Sequence, residues 1–335
     1  MAINIAIEIG SSYTTIFVEN NNVVLREPSI VAFLDDARKT VRAVGKQAIV
    51  LKGKTTEKVN FVTPIEEGYI TDPDSASVML AEFLKKIFPA KGKFLSKSIK
   101  AILSTPASLT VEERKTYEDV CLKAGISKVE MVDKVILSSV GASMPVSDGG
   151  AIVVSIGGGS TEIALVSMHS VIAGCAVNIG GNMMDQAIVD YVIGKYGIKI
   201  SRATAQKLKE EVGSLKPNCL LSYEVKGLDT ESLIPSAITL CSYDVYEAIC
   251  PYYKRIAEGI MSIVNECPPA LCESLHDRGV FVVGGGAKIH GLEKLLKDET
   301  NLNVKVCQDP EYSAIIGGGK LINNKELLNQ IFDAN

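Results

Sequence analysis

The chain has 335 residues, 47% of them apolar, with a formal net charge of -4 at pH 7. That length fills sizeable cores in two domains or one large one, and the slightly acidic balance excludes an overall basic nucleic-acid binder. Eight cysteines with no Cys-x-x-Cys pair, and three histidines with no second ligand at metal spacing, exclude a zinc or disulfide framework. The cysteines read as small core residues in a reducing compartment.

Met1-Ala2-Ile3-Asn4 leads directly into an alternating strand, without the features of a secretory signal. No apolar run approaches the roughly 18 residues needed to span a bilayer. A cytoplasmic protein is the expectation.

In chain order, Ile3 to Val18 reads strand, Gly10-Ser11-Ser12, strand, and Asn22 to Leu25 a further strand. Residues 30–70 then interrupt the pattern as an inserted small subdomain. Gly53-Lys54-Thr55 looks like the end of a P-loop, but the glycine that motif requires five residues earlier is Ala48. Asp74 to Phe88 has helical spacing, and Ser98 to Leu103 is a strand ending at Thr105-Pro106. Thr110 to Ala124 is a helix with Thr110 as cap and Glu113 at the capping-box position. Lys128 to Val132 is a strand and Lys134 to Ala142 a helix. Gly150 to Val166 again reads strand, Gly157-Gly158-Gly159-Ser160, strand, with another strand at Ser170 to Val177. Helices follow at Met183 to Lys195 and Thr204 to Leu215, within a second inserted subdomain at about 182–250. Residues 216–250 carry no legible motif. Gly279 to Val283 is a strand breaking into Gly284-Gly285-Gly286, with a helix from about Gly291. Alternating strands and helices predict an α/β protein.

The two strand-turn-strand runs overlay without a gap: Gly10 on Gly157, Thr14 on Thr161, Ile16 on Ile163. This echo predicts two duplicated halves, 1–137 and 138–335. Three glycine turns after apolar strands let backbone N–H groups approach an anion, and the hydroxyls of Ser11, Ser160 and Thr161 add donors.

These residues resemble the actin, Hsp70 and sugar-kinase (ribonuclease H-like) superfold, two α/β halves around a nucleotide cleft. Ile7 to Thr14 is similar to its phosphate-1 motif, Ser155 to Glu162 to its phosphate-2 motif, and Val283 to Lys288 to its adenosine motif. Within it the chain resembles the MreB family of bacterial actin homologues from end to end. Arg26-Glu27-Pro28-Ser29, Glu67-Gly68-Tyr69-Ile70-Thr71-Asp72 and Gln206-Lys207-Leu208-Lys209-Glu210-Glu211-Val212-Gly213 stand where that family has its own motifs. The resemblance implies that ATP or ADP is bound with Mg²⁺. Gly10, Ser11, Ser12 and Tyr13 would face the phosphates from one half, and Gly157, Gly158, Gly159 and Ser160 from the other. Gln206, Lys209, Gly284, Gly285, Gly286, Ala287 and Lys288 would hold the adenosine. It further implies filaments, association with paralogous subunits, and peripheral contact at the inner face of the cell membrane.

The departures from the family carry information. Glu8 and Ser155 stand where the family has aspartates that hold waters around Mg²⁺; Glu8 can still serve a metal shell, whereas Ser155 brings no charge. Lys134 stands where a glutamate orients the attacking water, and Ser160 where a threonine assists. An ammonium has no acceptor, so Lys134 cannot hold that water; slow hydrolysis is the expectation, unless the register shifts by one and Asp133 acts instead. Lys134 could pair with the γ-phosphate. This combination is similar to the divergent paralogues of Spiroplasma, wall-less helical swimmers, which implies a role in cell helicity and motility. Phe94-Leu95, among Lys85, Lys86, Lys91, Lys93, Lys97 and Lys100, reads either as an apolar tip for an anionic membrane or as a solvated turn. The competing readings are an exopolyphosphatase-like phosphohydrolase, a sugar kinase and an Hsp70-like chaperone.

Overall fold

The computed structural model describes residues 2–35, 40–52, 54, 58–89 and 98–334. They form two compact units. The first comprises Met1–Ser147, Met168–Val171 and Tyr312–Asn335, and the second Asp148–Ser167 and Ile172–Glu311. The chain thus returns to the first unit briefly at Met168 and again at Tyr312, whereas a division after residue 137 keeps 138–335 together.

In the first unit the chain forms β1 (Ile3–Ile9), β2 (Tyr13–Val18), β3 (Asn22–Pro28), β4 (Val31–Leu34), β5 (Val41–Val44), α1 (Lys46–Leu51), β6 (Val59–Val62), β7 (Ile65–Glu66), β8 (Tyr69–Ile70), α2 (Pro73–Ile87), β9 (Ile99–Thr105), α3 (Val111–Lys123), β10 (Lys128–Asp133) and α4 (Lys134–Gly141). The main sheet runs β10-β9-β1-β2-β3, with β5-β4-β6 as a separate small sheet. β1 pairs antiparallel with β2 and parallel with β9. Its run Ile5-Ala6-Ile7 is buried throughout because both sheet faces are covered. Ile5, Ile7 and Ile9 join Leu80 and Phe83 of α2 and Tyr117 and Val120 of α3 in one core. Ala6 faces the other way, with Phe17 and Ile315. The capping box of α3 forms as expected, Thr110 and Glu113 each satisfying the other's backbone N–H.

The second unit contains β11 (Gly150–Ile156), β12 (Thr161–Ser167), all but the first two residues of β13 (Ser170–Val177), α5 (Gly181–Tyr196), β14 (Ile198–Lys199), α6 (Arg202–Val212), β15 (Ser222–Asp229), β16 (Pro235–Cys241), α7 (Ser242–Asn265), α8 (Cys272–Arg278), β17 (Val280–Val283), α9 (Leu292–Thr300) and β18 (Val304–Val306). Its sheet runs β13-β12-β11-β17-β18, the same arrangement as in the first unit. β11 pairs antiparallel with β12 and parallel with β17. Residues 216–250 resolve into the hairpin β15-β16 and the start of α7. α6 stops at Val212, three residues short of the expected Leu215. Leu215 N–H donates instead to the His290 carbonyl at 2.7 Å.

Two further helices, α10 (Ser313–Asn323) and α11 (Lys325–Ala334), complete the first unit. Lys320 of α10 caps the C-terminus of α4, its Nζ 3.0 Å from the Val140 carbonyl and 2.9 Å from that of Gly141. The cysteines are less uniformly internal than expected: Cys121, Cys250 and Cys307 are buried, whereas Cys272 is exposed.

Candidate functional site

In the first unit, β1 and β2 meet at Gly10-Ser11-Ser12, and the turn closes with Gly10 N–H on the Tyr13 carbonyl at 3.0 Å. Ser29 N–H donates to the Ser12 carbonyl at 3.0 Å, and the Thr14 and Ser29 hydroxyls lie 2.9 Å apart. Ser11 Oγ accepts from Gly68 N–H at 2.9 Å, while Tyr117 OH donates to the Gly68 carbonyl at 2.8 Å. A hydroxyl whose lone pair is engaged in this way presents its proton as a donor, the polarity an anion requires. The Tyr13 ring lies under the Arg26 guanidinium, 4.1 Å from its centroid, so this ring is committed to a cation–π stack.

In the second unit the echo holds atom for atom: β11 and β12 meet at Gly157–Ser160, closed by Gly157 N–H on the Ser160 carbonyl at 2.9 Å. The Gly157 carbonyl accepts from Gly181 N–H at 2.9 Å and the Gly158 carbonyl from Asn182 N–H at 2.8 Å. Each carbonyl shares a planar trans peptide with the next N–H, so the amides of Gly158 and Gly159 are turned away from α5, a paired donor set for an anion. Gly180 permits this approach, since a Cβ there would stand 2.5 Å from the Gly158 carbonyl oxygen. Thr161 corrects an expectation. Its hydroxyl is buried and donates to the Ile179 carbonyl at 2.7 Å, so it is structural rather than a donor to a ligand.

The adenosine-type motif packs on the end of the same strand. Gly284 has φ +86°, its N–H donates to the Pro310 carbonyl at 2.8 Å, and a Cβ on it would overlap the Ile156 carbonyl. The Gly286 carbonyl accepts from the buried Tyr253 OH at 2.9 Å. Ala287 is buried, and Lys288 Nζ pairs with Glu311 Oε1 at 2.8 Å. Gly285 has open space beside its α-carbon.

Gln206 and Lys209 sit one turn apart on α6, with Gln206 Nε2 donating to Glu210 Oε1 at 2.9 Å. Lys209 Nζ lies 2.6 Å from Asp185 Oδ1 and 2.9 Å from the Gly181 carbonyl, tying α6 to the first turn of α5. Burial pushes the Asp185 carboxyl above its ordinary range, against the opposing pull of Lys209. Sequence reasoning missed Asp185 and Tyr253. The period Val245, Ile249, Ile256, Ile260 was the available signal for the helix that carries Tyr253.

Two of the departures meet in the first unit: Lys134, the first residue of α4, places Nζ 3.1 Å from Glu8 Oε1, both side chains being four-fifths buried or more. Asp133 is held by Arg114 Nη2 at 3.4 Å, and burial raises its carboxyl pKa. In the second unit the Ser155 hydroxyl is buried and has no hydrogen-bond partner among the described residues. A resident Mg²⁺ needs carboxylates and room for its waters. In the first unit a carboxylate already paired with an ammonium does not fit it, and in the second a neutral buried hydroxyl offers it no charge. Nor do the described residues contain a group of three or more His, Cys, Asp and Glu able to hold a metal.

Phe94 and Leu95 lie outside the described residues. Of the lysines read around them, Lys85 pairs with Glu82 at 2.6 Å and Lys86 with Glu27 at 2.8 Å, so these two are not an open basic ring. No helix among the described residues is long and apolar enough to cross a membrane.

The model of the MreB/Mbl protein family matches residues 2–330. The chain belongs to that family. It is 34% identical over 324 residues to the cell shape-determining protein MreB of Escherichia coli K12, covering 95% of this chain and 93% of that one. It is 31% identical over 327 residues to the cell shape-determining protein Mbl of Bacillus subtilis 168, covering 97% of each. Among solved structures, MreB5 of Spiroplasma citri bound to ADP matches with a TM-score of 0.90 at 25% identity over 99% of both chains. The MamK double helical filament matches at 0.80 and 17% identity, a likeness of fold. The chain is therefore an actin-like protein of the MreB, cell shape-determining type.

Proposed function

We propose that this MreB-family chain is a nucleotide-binding filament subunit that turns its nucleotide over slowly. Its ligand is ATP or ADP. The observation that carries the reading is the repeated loop closure, Gly10 N–H on Tyr13 and Gly157 N–H on Ser160, with the Gly284–Lys288 motif packed on Ile156 beside the second loop. Support comes from the Spiroplasma citri MreB5 structures bound to ADP and to AMPPNP, the latter matching with a TM-score of 0.89 at 26% identity.

Ser11 offers a hydroxyl proton, and the amides of Gly158 and Gly159 supply backbone donors. Slow turnover follows from Lys134: an ammonium held by Glu8 has no lone pair with which to orient water. Glu8 is already paired and Ser155 is neutral, so neither fits the Mg²⁺ expected from the family. Self-association into filaments follows from the likeness to filament-forming relatives, and a head-to-tail contact between unlike surfaces would propagate rather than close. Paralogous subunits and peripheral contact at the inner membrane face, through Phe94 and Leu95, belong to the same proposal, as do cell helicity and swimming. An exopolyphosphatase-like enzyme would need an acid at Ser155 and a glutamate at Lys134, and the chain has neither.

Calorimetric titration with ATP and sedimentation with and without nucleotide test the reading. Saturable binding and nucleotide-dependent pelleting are expected. A chain that neither binds nor pellets overturns it.

A further inference from the structure

The disagreement between these residues and a resident metal has a chemical consequence of its own. Glu8 is the half-buried residue between Ile7 and Ile9 of β1, in register with Ser104 of β9 on one side and Thr15 of β2 on the other. It therefore lies two residues from the Gly10 turn that the proposed function assigns to phosphate. Lys134 reaches it from the first residue of α4 at 3.1 Å. Asp133, its neighbour in sequence, pairs with Arg114 at 3.4 Å.

We infer that Lys134 is a built-in counter-cation, holding Glu8 and a nucleotide phosphate together, so that nucleotide is bound without a resident divalent ion. The inference rests on the nucleotide-binding reading above. An ammonium carries three donors and can serve a carboxylate and a phosphate oxygen at once. It cancels the Glu8 charge that would otherwise repel the triphosphate, which is the task a magnesium ion performs through bridging waters. A dication brought beside this ammonium meets like-charge repulsion in a site largely withdrawn from solvent. Glu8, the carboxylate beside it, is already paired with the ammonium. The substitutions at the glutamate and aspartate positions of the family are then a single exchange of metal for side-chain charge, rather than separate losses.

The test is the dissociation constant of ATP, measured by calorimetry in magnesium and again in excess EDTA, for wild type, Lys134→Gln, Lys134→Arg and Lys134→Glu. Far-ultraviolet circular dichroism and thermal melts verify that each variant is folded. For wild type, chelation is expected to change affinity by less than about threefold. Lys134→Gln should weaken binding by about tenfold or more in EDTA, and Lys134→Arg should preserve metal-independent binding. Lys134→Glu should bind only with magnesium. Wild type that loses ATP on chelation, while binding it in magnesium, overturns the counter-cation and leaves the nucleotide reading standing. Wild type that binds ATP in neither condition overturns the nucleotide reading, and this inference with it. Lys134→Gln with wild-type affinity in EDTA also overturns the counter-cation.

Discussion

Lys209 and Asp185 form a largely enclosed ion pair, Nζ to Oδ1 at 2.6 Å, with side-chain exposures of 15% and 7%. Breaking such a pair from one side costs more than it ever contributed, because the remaining charge is left without compensation. Burial already holds the Asp185 carboxyl above its ordinary range. A folded-state pKa above the unfolded value means that the ionised form costs stability at neutral pH, and that this cost is relieved as pH falls through the folded value. Lys209→Met raises that pKa further. It should destabilise the chain by about 3 kcal/mol near neutral pH, with the loss shrinking towards acid. Urea denaturation of wild type and variant across the acid-to-neutral range measures this, and a loss that grows as pH falls contradicts it.

Gly284 should tolerate no side chain. Its φ of +86° and the Ile156 carbonyl beside it oppose even alanine. Gly284→Ala should cost about 3 kcal/mol through combined strain and overlap. Gly285→Ala, with open space around it, is the control. Equal melting temperatures for the two variants would remove Gly284 from its assigned role.

Phosphate release from ATP should rise by about tenfold or more in Lys134→Glu, provided magnesium is present, since a carboxylate can accept a hydrogen bond from the attacking water. Wild type matching this variant would mean that Lys134 does not limit turnover, and Asp133 would then be the residue to replace.

Thiol labelling should divide the cysteines by environment. Burial, with Glu118 adding to it, pushes the Cys121 thiol up to about 12, and the thiolate is the reactive form. Cys272 is exposed. Brief alkylation of native protein at mildly alkaline pH should label Cys272 and spare Cys121 until denaturant is added, which peptide mass spectrometry resolves.

The phosphate loops were legible because their chemistry is local: a glycine turn between two apolar strands states itself within sixteen residues, and the overlay of Gly10 on Gly157 carried over to the same closing hydrogen bond. The ion pairs were not legible. Glu8 and Lys134 are 126 positions apart, and only the juxtaposition of β1 with the start of α4 joins them. α7 escaped because Pro251 sits inside it and its cap is Cys241, with Asp244 completing the capping box. α10 escaped because Gly317-Gly318-Gly319 reads as a turn. In the fold those glycines let the helix lie on its neighbours' backbones: a Cβ on Gly317 would overlap the Leu137 carbonyl, and one on Gly318 would stand 2.6 Å from Ala6 Cβ.

That return of the chain at Tyr312 bears on the order of events during synthesis. The second unit draws on residues up to Glu311 and can close as soon as they have left the ribosome. The first unit, although most of it is made earlier, keeps Ala6 and Phe17 uncovered until Ile315 arrives to pack on them. The sheet face of the first unit that carries Ala6 and Phe17 is therefore completed only by a segment near the far end of the sequence.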